Sequence, residues 1–181
     1  MANSSQKGRR IAAAEVQKRL RASGTAQQLG FELAALEQGR VVLRMRVQAH
    51  HKQFHGVVHG GVLAALADTA GGLASYTAAK GPQVATIEMK INYLEPVAGG
   101  TVTADARVVR IGRHIAVVDC DIRDQGGRLV GKALMSFFVG QFRESRAKTR
   151  VGGPRTSLQA ARRHDSGVAA KRQRDLAPPA E

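Results

Sequence analysis

The 181-residue chain has no tryptophan, two tyrosines, five phenylalanines and one cysteine. The lone Cys120 excludes an intramolecular disulfide. In the run HIAVVDCDIR, alternation sets Cys120 beside Ala116, Val118 and Ile122 on the apolar side of a strand, as a buried, inert thiol. No uninterrupted apolar run approaches the roughly 20 residues a membrane-spanning helix needs. The N-terminus MANSSQKGRRIAAAEV lacks the apolar stretch of a signal peptide. The expected location is therefore cytoplasmic, although the basic, acid-poor beginning also suits an organelle transit peptide.

Acidic residues are scarce too, 14 against 28 Lys and Arg, for a net charge of +14. The excess is uneven. Residues 1–25 hold six basic and one acidic residue, 26–142 hold twelve and nine, and 143–181 hold ten and four. Residues 143–181 have no aromatic residue, few apolar ones and no periodicity, which reads as a disordered basic C-terminal tail. Residues 1–25 read as a basic N-terminal extension, partly helical over RRIAAAEVQKRLRAS and weakly anchored, because only Ile11, Val16 and Leu20 carry much apolar area. The domain is expected at 26–142.

Within it, GFELAALE and VVLRMRV are strand-like runs joined at Gln38-Gly39-Arg40. From Gly60 to about Ala79, Leu63, Leu66, Ala67, Ala70, Leu73, Ala74 and Thr77 recur at helical spacing, and Gly81-Pro82 ends the helix. Four further alternating runs follow, with turn signals at 96–100, 111–113 and 126–127. One long helix among five to six antiparallel strands predicts an α+β domain whose sheet curls around that helix.

The helix carries an isolated carboxylate. Asp68 has Ala64, Ala65, Gly71 and Gly72 as its helical neighbours, so no local Lys or Arg can pair with it. Gly60 and Gly61 stand at the helix start, where unpaired N–H groups are donors for an oxyanion. Together these are the two halves of a hydrolytic site. Gly60 and Asp68 are eight residues apart, about 12 Å along one helix axis, so a single carbonyl cannot touch both. Acting on one bond, they must come from two copies of the chain. A homodimer is thus the minimum assembly and a homotetramer the expected one.

The string HKQFHGVVHGGVLAALADTA (51–70), with INYLEPVAGG (91–100) and GRHIAVVDCDI (112–122), resembles hotdog-fold acyl-CoA thioesterases of the phenylacetate-degradation (PaaI-type) group. The resemblance covers about residues 26–142. It implies that Asp68 is the general base or nucleophile and that the Gly60 N–H polarises the thioester carbonyl. It also implies that Thr86 helps hold the water, although plain alternation groups Thr86 with Glu88 and Lys90. Gln53 stands where many relatives have an asparagine. His59, Gly61, Arg110 and Arg113 are the substrate- and CoA-binding candidates, and the planar fork of arginine suits phosphate. Leu63, Leu66, Tyr76 and Met89 are candidates for shaping the acyl pocket.

The expected reaction is acyl-CoA plus water to carboxylic acid plus CoA, on an aryl or medium-chain acyl group. No cofactor is expected, since coenzyme A belongs to the substrate. His51, His55 and His59 are spaced by four, but glycine and valines before the helix put them on loop or extended chain, where that spacing makes no metal face. A hydratase or dehydratase would keep the same fold with a His and Asp pair. The rival outside catalysis is an acyl-CoA sensor contacting nucleic acid through its basic tails. The N-terminal segment is too short for two helices and a turn, and the tail offers no aromatic for base stacking.

Overall fold

In a computed structural model, residues 10–141 are described. Three helices, α1 (Ala13–Ala22), α2 (Gly24–Gln28) and α3 (Gly60–Ala78), accompany six strands. The strands are β1 (Phe31–Glu37), β2 (Arg40–Arg46), β3 (Gln83–Tyr93), β4 (Thr101–Ile111), β5 (Ile115–Arg123) and β6 (Leu129–Gly140). They form one antiparallel sheet in the order β1-β2-β4-β5-β6-β3, with α3 packed across five of them. The expectation for residues 143–181 lies outside the described residues.

Each turn follows its local sequence. Gly39, at φ 80°, closes the β1–β2 hairpin, and its N–H donates to Thr77 Oγ1 at 2.9 Å, tying the hairpin to the end of α3. The helix stops when Lys80 and Gly81 turn to positive φ, 63° and 97°, ahead of Pro82. Every apolar position that defined the helix by spacing, from Leu63 to Thr77, is buried. Gly71 allows the close approach. A Cβ there would lie 2.7 Å from Met135 Cε and 2.9 Å from Phe137 Cε2 on β6. Cys120 is buried with Ala116, Val118 and Ile122, and burial pushes its thiol up to about 12.

The N-terminal segment departs from expectation. Far from being weakly anchored, the segment buries Ile11 ahead of α1 and Val16 and Leu20 within it, and α1 packs against β1. Tyr76 of α3 donates its hydroxyl hydrogen bond to the Glu15 carboxylate, and the Arg19 guanidinium lies 3.8 Å over the Tyr76 ring centroid. Apolar area alone underestimated the attachment because a hydrogen bond and a cation–π contact add to it.

Candidate active site

Asp68 sits midway along α3, half-buried, and faces the first half of strand β3. Its partner is Thr86, whose hydroxyl donates to Asp68 Oδ1 at 2.7 Å. Simple alternation would have grouped Thr86 with the outward Glu88 and Lys90. A β-bulge prevents that. Thr86 pairs with Phe137 and Glu88 with Ser136, so Ile87 is the extra residue, and Thr86 shares the inner face with Val84 and Met89. Asp68 and Thr86 open on a cleft of about 280 Å³ whose walls include Gly72, Leu73, Tyr76, Val84 and Phe137. Another wall comes from α1, through Arg19 and Leu20, and from Ser23 that caps it. Burial, and then the bond to Glu15, raises the Tyr76 phenol, while Arg19 pulls it the other way.

The start of α3 is organised around His59. His59 is the N-cap, and its Nδ1 accepts the Gly61 N–H at 2.9 Å, so the neutral ring carries its proton on Nε2. The His59 carbonyl accepts from Val62 and Leu63 at 2.9 and 3.4 Å. Among the described residues this leaves the Gly60 N–H as the helix-start donor without a partner. Gly61 is engaged in the cap and is not a free donor. Tyr93 covers Gly60: its hydroxyl donates to the Gly60 carbonyl at 3.0 Å, and a Cβ at residue 60 would meet the ring at 3.0 Å. Gly60, Tyr93 and Leu63 line a second cleft of about 330 Å³.

The other candidates are spread out. Gln53 lies in the loop before α3, its Oε1 accepting the His55 N–H at 3.1 Å. His55 packs on Phe54, with ring centroids 3.9 Å apart. His51 is buried at 1% exposure in a 3-10 turn (Ala49–His51), with Nδ1 accepting the Gln48 N–H and Nε2 without a partner. Burial, with the nearby His50, lowers its pKa. The three histidines thus hold separate places, and the described residues contain no grouping of three metal-ligating side chains. Arg110 and Arg113 are exposed at the β4–β5 end of the sheet and have no ion pair among the described residues. By contrast Arg40, Arg44, Arg107, Arg123, Arg128 and Lys132 are each paired with a carboxylate. Of the apolar candidates, Tyr76 lines the cleft at Asp68 and Leu63 the one at Gly60, while Leu66 is fully buried core and Met89 is half-buried. Sequence reasoning missed the α1 wall and the Tyr93 cover. The spacing of Val16 and Leu20 marked an apolar face of α1 but not what that face packs against, and the Tyr93 cover had no signal.

A six-stranded antiparallel sheet against one long helix, with the helix N-cap and a mid-helix carboxylate as its polar features, is a hotdog fold. The thioesterase superfamily model matches residues 55–131. A thioesterase structure from Haemophilus influenzae is 31% identical, with a TM-score of 0.67, covering 72% of this chain and 92% of that one. The phenylacetic acid degradation protein PaaI of Thermus thermophilus is 33% identical, with a TM-score of 0.60, covering 65% and 99%. A 1,4-dihydroxy-2-naphthoyl-CoA hydrolase of Listeria monocytogenes is 32% identical over 111 residues, 59% of this chain and 88% of the relative. The chain belongs to the thioesterase superfamily, in its PaaI-type group, and is a thioester hydrolase. No helix among the described residues is long and apolar enough to cross a membrane.

Proposed function

We propose that the protein hydrolyses an aryl- or medium-chain acyl-CoA to the free acid and CoA, with Asp68 of one subunit and the Gly60 N–H of another acting on the same thioester. The observation that carries this reading is the pairing of Asp68 with Thr86 at the mouth of an apolar cleft. Thr86 engages Oδ1 and leaves Oδ2 to accept a proton from water, while the hydroxyl's own lone pairs can accept from that water. The water oxygen bonds to the acyl carbon and the carbonyl electrons move onto oxygen, where the unpartnered Gly60 N–H donates to them. Collapse breaks the C–S bond, and the thiolate takes the proton held by Asp68. In the alternative route Asp68 attacks the acyl carbon itself, giving a mixed anhydride that water then opens.

Separation supports the two-subunit assembly, since eight helical residues span about 12 Å. In the single chain, β3 is an unpaired edge carrying Ile87 and Tyr93 at 56% and 51% exposure, a surface suited to pairing with a two-fold copy. In this reading His59 holds the Gly60–Gly61 turn, Gln53 orients the substrate through its amide N–H groups, and Arg110 and Arg113, exposed and without an ion pair among the described residues, meet the CoA phosphates. The chemistry asks for no cofactor or metal.

The test is CoA release, followed with a thiol reagent across aryl, short, medium and long acyl-CoAs, beside the molar mass in solution. Turnover by a dimer or larger assembly is the expected result. A folded monomer that turns over at full rate would overturn the shared site. Absence of turnover on every thioester, with salt-dependent binding to nucleic acid, would favour a sensor.

A further inference from the structure

The cleft at Asp68 has a polar wall that the hydrolytic chemistry does not use. Arg19 of α1 and Ser23, the cap between α1 and α2, both line it, among Leu20, Leu73, Val84 and Phe137. Arg19 stands over the Tyr76 ring, its guanidinium carbon 3.8 Å from the centroid, and is exposed, with no carboxylate at ion-pair distance among the described residues. Ser23 Oγ accepts the Ala26 N–H at 3.2 Å as the α2 cap, so its own proton is available to donate. The Tyr76 hydroxyl, under Arg19, has its proton committed to Glu15. The wall therefore presents donors and a positive charge, whereas the acidic group at the other end of the cleft is Asp68.

The spacing gives the ligand a length. Tyr76 is eight residues beyond Asp68 on the same helix, about 12 Å along its axis, close to the reach of a medium-length acyl chain. We propose that α1 is a selectivity element in which Arg19, assisted by Ser23, receives the far end of an acyl group that carries a carboxylate there. This rests on the proposed hydrolysis at Asp68, with the apolar cleft beside it receiving the acyl group. Arginine binds a carboxylate through two parallel N–H bonds, and the preference is limited here by the exposure of Arg19. Glu15 does not line the cleft, and its carboxylate accepts the Tyr76 hydroxyl hydrogen bond.

The discriminating measurement compares kcat/KM for octanedioyl mono-CoA with that for octanoyl-CoA, two thioesters of equal length. The wild type is expected to favour the carboxylate-ended substrate by about tenfold at low salt, less as salt rises. Arg19→Gln should bring the ratio close to one, Arg19→Glu should invert it, and Arg19→Lys should keep part of it. The ratio cancels any loss of folded enzyme, so a merely structural role for Arg19 would lower both rates and leave it unmoved. A wild-type ratio of one, or a ratio that Arg19→Gln does not change, overturns the proposal while Asp68-dependent turnover of octanoyl-CoA keeps the hydrolytic reading intact. Failure to hydrolyse either thioester would overturn the proposal alone, and only failure on the whole aryl, short, medium and long panel would overturn the hydrolytic reading with it.

Discussion

Two adjacent glycines on α3 should respond to the same substitution with opposite signs. Replacing either by alanine gains about 1 kcal/mol of helix propensity. At Gly71 the new Cβ would stand 2.7 Å from Met135 Cε and 2.9 and 3.0 Å from two ring carbons of Phe137. Met135 and Phe137 are 0% and 1% exposed, so neither yields without disturbing its own neighbours. Overpacking of this kind costs about 1–3 kcal/mol, which leaves Gly71→Ala roughly 1 kcal/mol less stable than wild type. At Gly72 the nearest atom is Phe137 Cε1 at 3.6 Å, an ordinary contact. Gly72→Ala should therefore keep most of the propensity gain, roughly 0.5–1 kcal/mol. Urea unfolding at fixed protein concentration reads both, as shifts of the midpoint at constant slope. In thermal scans each kcal/mol corresponds to about 3–5 °C for a domain of this size. Equal stabilisation by the two substitutions would refute the close packing of α3 on β6.

Three further outcomes follow from the site and its surroundings. Thr86→Val keeps the shape but removes the donor to Asp68, so kcat should fall about tenfold with little change in melting temperature, and Thr86→Ser should restore most of it. Gly60→Ala would drive a methyl group into the half-exposed Tyr93 ring and disturb the free N–H, so thioester turnover should drop by about 10²-fold while circular dichroism shows an intact fold. Burial holds the folded His51 pKa below its ordinary value, so on acidification the unfolded chain binds a proton that the folded chain refuses. Stability should fall as pH drops below about 6.5, with no contribution from His51 above that, and His51→Asn should show a shallower decline when urea midpoints are compared at acidic and neutral pH.

Much of the fold was legible because its signals are local. Helical spacing from Leu63 to Thr77, strand alternation, and glycine at the turns each depend on a few neighbouring residues. The site was legible where it shares those signals: Asp68 lacked a possible helical partner, and Gly60 stood at a helix start. What escaped depends on contacts between distant segments. The bulge that turns Thr86 inward is a property of β3 pairing with β6, and nothing in the residues around Ile87 marks it. The docking of α1 combines Glu15 and Arg19 with Tyr76, about sixty residues later, so the wall it adds to the cleft was invisible to a reading of α1 alone. Gly61 looked like a second donor, but the His59 ring reaches back over two residues to occupy it.

Hydrolysis by this mechanism depends on the carboxylate of Asp68. Asp68→Asn conserves size and leaves an amide that can still accept from Thr86, so the fold and assembly should persist. Its kcat for CoA release should drop by about 10²- to 10⁴-fold, measured beside wild type on the best thioester of the panel. Near-normal turnover by a folded Asp68→Asn protein would contradict the mechanism and place the hydrolytic group elsewhere.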